Sequence, residues 1–277
     1  MPKGWPNLAS VALVSALSMA WASCAAPLLT LPSGPGVLAL DGRAAIDAAT
    51  AACRPVSTLS LEMSVSGSIA GGRVRGRLVA GLTRAGSVRL EAVAPFGQPV
   101  FFLTNDFGFV APRATLLLPR DNRALERGQF AAVLEAVTGI PLDAPVLFTV
   151  VTGCVPWAPD PGGARALGEA WRVMPAGQNE LYLNREKAGP WRLVVNMHRD
   201  ANDGWRVEYR NFQDGFPRTI RLVSARNGAF DLQLALSQVE LNVPLGPDVF
   251  RIQIPASASP ISLDELKASG PLRANGR

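Results

Sequence analysis

Residues 73–118 read RVRGRLVAGLTRAGSVRLEAVAPFGQPVFFLTNDFGFVAPRATLLL, and the pattern of these residues predicts a β-sheet. Charged and small or apolar residues alternate along it, so the arginines of 73–77 fall on one side of a predicted strand and the residues between them on the other. The alternation returns at 88–92 after the turn at Ala85-Gly86, which predicts a hairpin. Such alternation is typical of an antiparallel sheet with one dry face.

The later part of the stretch predicts a sheet that is covered on both sides. Residues 100–103 (VFFL) and 115–118 (TLLL) are apolar on both faces of a strand, so something must pack on each side of the sheet there. Before them comes the turn Pro95-Phe96-Gly97, whose aromatic residue has no buried position in the local pattern. A turn aromatic that is merely shielded from solvent is the alternative for Phe96.

Three helices are expected around this sheet. The alanine-rich segment 42–53 follows Asp41, a residue suited to cap a helix. Residues 125–137 (LERGQFAAVLEAV) carry apolar residues at helical spacing, and a third helix is predicted over 144–151 with Asp143 as its cap.

Beyond a proline-rich loop at 156–163 the strand alternation resumes. Over residues 230–243 the apolar phase flips between Leu236 and Val239, which predicts a bulge or a strand that leaves the sheet. The predicted strands cover 170–174, 180–184, 191–197, 205–212, 219–225 and 230–236.

The composition fits a globular chain with a real core. Of 277 residues 48% are hydrophobic, and the formal charge of +5 comes from arginines spread along strands. Such spacing is typical of a solvated face, with attraction to anionic lipid headgroups as the minority interpretation. Nucleic-acid binding is not expected, because it requires clustered basic residues with interleaved aromatics.

The first residues are predicted to be a signal peptide, 1–23. Lys3 gives a weakly positive start, and the apolar run that follows is too short for a membrane span. Small residues before Cys24 resemble the bacterial lipobox, which predicts acylation of that thiol, although Trp21 stands where the motif prefers an aliphatic residue. Ordinary cleavage after Ala22 is the alternative, and it leaves Cys24 a plain thiol.

The rest of the chain divides into a tether, one domain and a tail. Residues 24–40 are rich in proline and glycine and are expected to form a lipid-anchored flexible tether. Residues 41–270 are expected to form a single domain, because neither half alone could close its apolar faces. Residues 271–277 are expected to fray.

Cys53 and Cys154 remain as an even pair in a compartment that permits disulfides. A bridge between them would close a loop of roughly 100 residues, for which the chain-entropy model gives about 4.7 kcal/mol as an upper figure. Two buried free thiols are the alternative.

Catalytic chemistry is scarce in this sequence. His198 is the only histidine and has no nucleophile beside it in a known motif. No metal-ligand or phosphate-loop motif occurs, so no metal or cofactor is predicted and the chain is expected not to be an enzyme. A hydrolase would need paired carboxylates, for which Glu180, Glu208 and Asp214 offer no recognisable spacing.

The order helix, antiparallel sheet, central helices, more sheet, with the Pro95-Phe96-Gly97 turn after a hairpin, resembles the LolA and LolB family of periplasmic lipoprotein carriers and outer-membrane lipoprotein receptors. The resemblance covers about 41–266. It implies a mainly β (α+β) fold, an incomplete antiparallel barrel whose concave face is plugged by an N-terminal helix and central helices. Phe96 sits where the receptor projects an apolar residue into the membrane. The longer tether and the two cysteines depart from the receptor.

The resemblance also implies a cavity that binds acyl chains or acylated lipoproteins, with plain core packing as the alternative for each residue. It implies a protein anchored at the periplasmic face of the outer membrane, expected to be a monomer and to receive cargo from a periplasmic carrier. The residues predicted to line the cavity are Leu78, Leu90, Val100, Phe101, Leu103, Leu116 and Leu118, with Phe130, Val133 and Leu134 on the covering helix.

A structural envelope lipoprotein, with a barrel filled by its own side chains and used as an interaction module, is the alternative function. An empty, accessible apolar cavity distinguishes the two, because only the binding protein needs one.

Overall fold

A computed structural model describes residues 27–94, 96–107, 113–155 and 160–269. The predicted signal peptide, Cys24, Pro95 and the tail 271–277 lie outside the described residues. The strands are β1 Val37–Leu38, β2 Thr58–Ile69, β3 Gly72–Thr83, β4 Val88–Val93, β5 Pro99–Asp106, β6 Arg113–Leu118, β7 Arg123–Gly128, β8 Arg165–Leu167, β9 Trp171–Ala176, β10 Asn179–Asn184, β11 Arg192–His198, β12 Trp205–Arg210, β13 Thr219–Ser224, β14 Phe230–Leu241 and β15 Ser259–Pro260.

Four α-helices and three short 3-10 turns complete the part of the chain that the structure describes. In that part no helix has the length and apolarity to cross a membrane. The helices are α1 Gly42–Ala49, α2 Phe130–Thr138, α3 Ala144–Thr152 and α4 Leu263–Ser269, and the 3-10 turns are Ala51–Cys53, Pro161–Gly163 and Pro247–Phe250.

All fifteen strands of the described ranges belong to one open sheet, in the order β1-β8-β9-β10-β11-β12-β13-β14-β2-β3-β4-β5-β6-β7-β15. The pairings are antiparallel except for that of β15 with β7. The sheet does not close, since β1 and β15 are its edges. α1 packs on β9 to β11 and α2 on β6, which confirms the predicted half-barrel with helices against its concave face.

Two details of the predicted sheet are confirmed. β3 and β4 pair from Arg77 opposite Val93 to Leu82 opposite Val88, as the alternation at 73–92 predicts. The register between β14 and β2 shifts between Ser237 and Glu240, where Gln238 has a φ of 48°. The flip in apolar phase is therefore a bulge. Before it the even-numbered residues of β14 face the core, and after it the odd-numbered residues do.

The helix predictions hold in part. Asp143 caps α3 as expected, its carboxylate accepting from the Val146 N–H at 2.8 Å. The helix predicted over 125–137 begins only at Phe130, because the preceding segment pairs with β6 as strand β7, and this pairing overrides the helical spacing. Asp41 makes no capping hydrogen bond. Its carboxylate accepts from Arg172 at 2.6 and 2.9 Å instead, and that guanidinium lowers the pKa of Asp41.

The C-terminal segment covers the outer face of the sheet, as the doubly apolar strands require. The 3-10 turn Pro247–Phe250 lies against β4 and β5, with Phe250 buried, and Arg89 donates to the Val249 carbonyl at 2.9 Å. α4 then packs on α2 through the buried Leu266. Hydrogen bonds from Ser262 and Arg123 lower the pKa of Glu265, in the first turn of α4, to about 2.

Residues 27–38, expected to be a flexible tether, are packed against the sheet; we call this segment the strap. The Leu29 N–H donates to the carboxylate of Glu208 at 2.9 Å, and Arg206 donates to the Leu29 carbonyl. Leu29 and Leu31 pack on an apolar patch formed by Val173, Tyr182 and Val195. The prediction from proline and glycine content missed this attachment because the leucines between them have apolar surface to bury.

Cys53 and Cys154 form a disulfide with a Cα–Cα distance of 5.4 Å, so the predicted bridge is confirmed. Cys53 ends the 3-10 turn after α1, and Cys154 follows α3 after the left-handed Gly153. The bridge therefore connects the helix that covers one end of the sheet with a helix that covers its middle.

Candidate functional site

A cavity of about 550 Å³ lies between the concave face of the sheet and the helices α2 and α3. Strands β2 to β5 form one wall and β13 and β14 continue it. The volume is within the range of about 300–1,000 Å³ typical of small-molecule sites.

The wall of the cavity is mainly apolar. Aliphatic side chains dominate it, and Phe101 is its buried aromatic residue. Within the described ranges no acidic residue lines it, and the charged residues that do so are arginines. The apolar side chains from strands are Met63, Val65, Ile69, Val74, Leu78, Ala80, Leu82, Leu90, Ala92, Val93, Val100, Phe101, Leu222, Leu232 and Leu234.

The exposed lining residues identify the opening. They belong to the start of β3 and to the turns 94–98 and 119–122, and turns 70–71 and 199–204 lie at the same ends of their strands. We call this end of the sheet the mouth rim. Turns 84–87 and 211–218 lie at the opposite rim. The exposed lining residues are Arg73, Arg75, Arg77, Phe96, Gln98 and Arg120.

The mouth forms because neighbouring strands differ in length. β4 ends at Val93, opposite Arg77, whereas β3 begins five residues earlier at Gly72. Residues 72–76 therefore have no ladder partner in β4, and residues 73–76 border the cavity with both their inner and outer faces.

Phe96 projects from this turn into solvent. Its relative exposure is 102%, and the turn is closed by a 2.9 Å hydrogen bond from the Ala94 N–H to the Gln98 carbonyl. Phe96 has a φ of 76° and Gly97 a φ of 80°. A bulky residue with its backbone in the left-handed region is strained. Because the exposed ring of Phe96 gains no packing in return, the strain marks this turn as a candidate functional site.

The structure brings half of the predicted cavity residues together. Leu103, Leu116, Leu118, Phe130 and Val133 lie in the core instead and do not line the cavity. The first turn of α2 packs tightly on β6 and β7, where a Cβ at Gly128 would collide with Val133, so no space remains there. Leu78, Leu90, Val100, Phe101 and Leu134 line the cavity.

Some lining residues were not predicted. Leu222, Leu232 and Leu234 come from β13 and β14, and their strand alternation places them on the inner face, a signal that was available. Ile140 and Leu142 come from the loop between α2 and α3 and have no periodic signature.

Of the three carboxylates considered for a hydrolase, Glu180 and Glu208 are engaged elsewhere, and Asp214 lies in the turn 211–218 at the opposite rim. Glu180 binds Arg165, Arg199 and the Tyr182 hydroxyl, and the resulting hydrogen bonds lower its pKa against the effect of burial. Glu208 is fully buried beneath the strap. Neither residue lines the cavity.

The polar groups of the other half of the sheet form a structural network. The His198 ring nitrogen Nδ1 lies 2.7 Å from the Asn179 amide oxygen, and its ring stacks on Trp205. Tyr209 donates to the Thr149 carbonyl of α3 at 3.1 Å, and complete burial raises the pKa of its hydroxyl. These contacts tie α3 and β10 to β12, and none of these residues lines the cavity.

No protein-family model and no curated protein matches the chain. Among solved structures it is similar to a LolA superfamily protein from Nitrosomonas europaea, with 11% identity over 77% of this chain and 99% of that one and a TM-score of 0.51. It also matches a DUF1329 family protein from Desulfovibrio piger (10% identity, 76% and 96% covered, TM-score 0.44). A third match is the lipoprotein LppX of Mycobacterium tuberculosis (11% identity, 75% and 98% covered, TM-score 0.30). At these identities the first likeness shows a shared half-barrel fold.

Proposed function

We propose that this protein binds acyl chains, free or attached to a lipoprotein, in the cavity and passes them to a membrane without covalent chemistry. The cavity between the sheet and α2 and α3 is the observation that carries the proposal. It is apolar within and bordered by exposed residues at the mouth rim, so a chain can enter lengthwise. A barrel filled by its own side chains, as a purely structural role would predict, leaves no such space.

The energetics of burial support the proposal. Each methylene removed from water contributes about 0.8 kcal/mol, so a chain of about sixteen carbons gains roughly 12 kcal/mol before the cost of ordering it. Such a gain is sufficient for transient extraction of a lipid.

The proposed location is the periplasmic face of the bacterial outer membrane. Acylation of Cys24 after removal of 1–23 would attach the protein to the membrane, and a periplasmic carrier would deliver the cargo. Anchoring of this kind is firm with two or three acyl chains and marginal with one.

Native mass spectrometry of the mature chain with Cys24→Ser tests the proposal. The chain purified from cells is expected to carry lipid or acylated peptide that is lost on delipidation. The delipidated chain is then expected to take up a fluorescent fatty acid. A chain that is bare as purified and also refuses the fatty acid would contradict acyl-chain binding.

Filling part of the cavity is expected to weaken fatty-acid binding. In Ala92→Phe a ring replaces a methyl group on the inner face of β4 and occupies space for about three methylenes, so fatty-acid affinity should fall roughly fiftyfold. Fluorescence titration measures this change. Ser64→Phe, on the exposed outer face of β2, is the matched control and should bind normally. Equal affinities in the two variants would show that the ligand binds outside the cavity.

Phe96→Glu is expected to impair transfer of bound lipid to membranes while leaving stability within about 0.5 kcal/mol, because this side chain is fully exposed. Transfer from the loaded protein to acceptor vesicles is the measurement, with thermal unfolding beside it. Phe96→Leu keeps an apolar tip and should transfer at close to the normal rate. A large loss of stability in Phe96→Glu would instead make Phe96 a core residue.

A further inference from the structure

We infer that the cargo is a lipid with an anionic, phosphate-bearing headgroup, which Arg73, Arg75 and Arg120 bind at the mouth rim while its chain lies in the cavity. The inference rests on the proposed function, because it needs a chain in the cavity. It narrows the cargo from acyl chains in general to one class of lipid.

The distribution of charge around the cavity carries the inference. Among the residues that the structure describes, four charged residues line it, and all four are exposed arginines at the mouth rim. In the same part of the chain no aspartate or glutamate lines the cavity to offset them. An apolar interior with a wholly positive opening matches a ligand that has an apolar tail and a negative head.

These arginines are also available for a ligand. Many others in the described ranges are held by carboxylates: Arg221 by Asp231 at 2.8 Å, for example, and Arg165 by Glu180 at 2.7 Å. Within the same ranges neither Arg73 nor Arg75 has an ion-pair partner.

The remaining two rim arginines are only partly engaged. Arg77 has an exposed contact with Glu62 at 3.5 Å. Arg120 donates from Nη2 to the Gln98 amide oxygen at 2.9 Å, which holds its guanidinium beside the turn 94–98 without neutralising it. A guanidinium placed in this way retains donors for the bidentate hydrogen bonds that phosphate accepts.

The path out of the cavity leads past these groups. By strand alternation Arg73 and Arg75 lie on the outer face of β3, in the part of the strand that extends beyond β4. A lipid tail that leaves the cavity crosses this unpaired edge, so its head emerges between β3 and the turn 94–98. Arg73 and Arg75 lie on β3 beside that exit, and Arg120 is held next to the turn 94–98 by its hydrogen bond to Gln98.

An acylated polypeptide fits this opening less well. Its acyl chains are attached to a glyceryl thioether that carries no phosphate. The three guanidiniums at the mouth rim would therefore find no anionic group next to the glyceryl unit. A phospholipid places a phosphate directly above the glyceride.

Binding of three lipids with identical acyl chains tests the inference. Native mass spectrometry of the mature Cys24→Ser chain would compare phosphatidylglycerol, phosphatidylcholine and diacylglycerol, each at equal concentration. Phosphatidylglycerol should bind about tenfold more tightly than diacylglycerol at low ionic strength. The difference should shrink in 0.5 M salt, because exposed charges are screened.

The double variant Arg73→Gln/Arg75→Gln should lose this preference and bind diacylglycerol as before. Arg43→Gln/Arg54→Gln makes the same change of charge at side chains 70% and 69% exposed near α1, and it should keep the preference. If the chain with its natural rim arginines bound the three lipids equally, the inference would be overturned and the proposed function would stand. If that chain bound none of the lipids, both would be overturned. The inference would also fall if both double variants lost the preference equally, or if the preference occurred only with phosphatidylglycerol vesicles and not with single lipids.

Discussion

Replacing Cys53 and Cys154 with alanine is expected to lower the free energy of unfolding by about 3–4 kcal/mol. The bridge joins residues 101 apart in sequence, so it removes much of the conformational freedom of the unfolded chain. For a chain of this size the change corresponds to a fall in melting temperature of roughly 10 °C. Urea and thermal unfolding of the two proteins would measure the difference.

Reduction supplies the control for the disulfide prediction. A reductant should destabilise the natural chain toward the level of the double alanine variant and leave that variant unchanged. The effect should extend to ligand binding, because Cys154 follows α3, which provides Leu147, Val150 and Val151 to the cavity. A natural chain with the same mass and the same melting temperature in reductant would contradict the bridge.

Glu208→Gln is expected to destabilise the protein by about 3 kcal/mol. The carboxylate is fully buried and accepts from Arg206, Arg210 and the Leu29 N–H. Removing one member of a buried ion cluster leaves the opposite charges without compensation, which commonly costs 3–5 kcal/mol. Here the side chains of Arg206 and Arg210 are 19% and 25% exposed, so they regain some solvation when the carboxylate is removed. We therefore expect a loss of stability at the lower end of this range.

Release of the strap from the sheet would distinguish the effect of Glu208→Gln from a general loss of stability. Limited proteolysis should cut the strap of Glu208→Gln faster than that of the natural chain under conditions in which both are folded. Glu91→Gln removes a carboxylate from a half-exposed pair with Arg89 and should change stability by no more than about 1 kcal/mol. An undisturbed strap with normal stability in Glu208→Gln would show that the cluster does not hold it.

Strand alternation made the sheet largely predictable from sequence. The hairpin of β3 and β4 and the bulge in β14 both follow from the parity of apolar residues, which depends on local geometry alone. The disulfide was predictable because, with Cys24 assigned to the predicted lipobox, two cysteines remained, and the predicted signal peptide implies a compartment that permits disulfides. The mistaken start of α2 shows the limit of this reasoning: Leu125 fits a helical and a strand pattern equally well, and only β6 decides between them.

The cavity was less predictable. Strand alternation tells which face of the sheet a residue occupies, but it does not tell how closely the covering helices pack on that face. Leu103 and Leu90 look alike in sequence and face each other across β4 and β5, yet Leu103 is completely buried in the core and only Leu90 lines the cavity. The strap was hidden for a related reason. Arg206, Glu208 and Arg210 alternate as a solvated face would, and only the chain that crosses them buries the glutamate.

The attachment of the strap to the sheet limits the distance between residue 24 and the folded domain. The Pro27 carbonyl accepts from Arg210, at the end of β12 that belongs to the opposite rim. Three peptide units separate residue 24 from Pro27, a span of about 10 Å at most. The anchor proposed at Cys24 would therefore hold the opposite rim close to the membrane and turn the mouth rim away from it. Freeing the strap as far as Val37 adds ten residues and roughly 35 Å of reach. With that anchor, release of the strap from Glu208 and its neighbouring arginines would extend the distance that the mouth rim can reach.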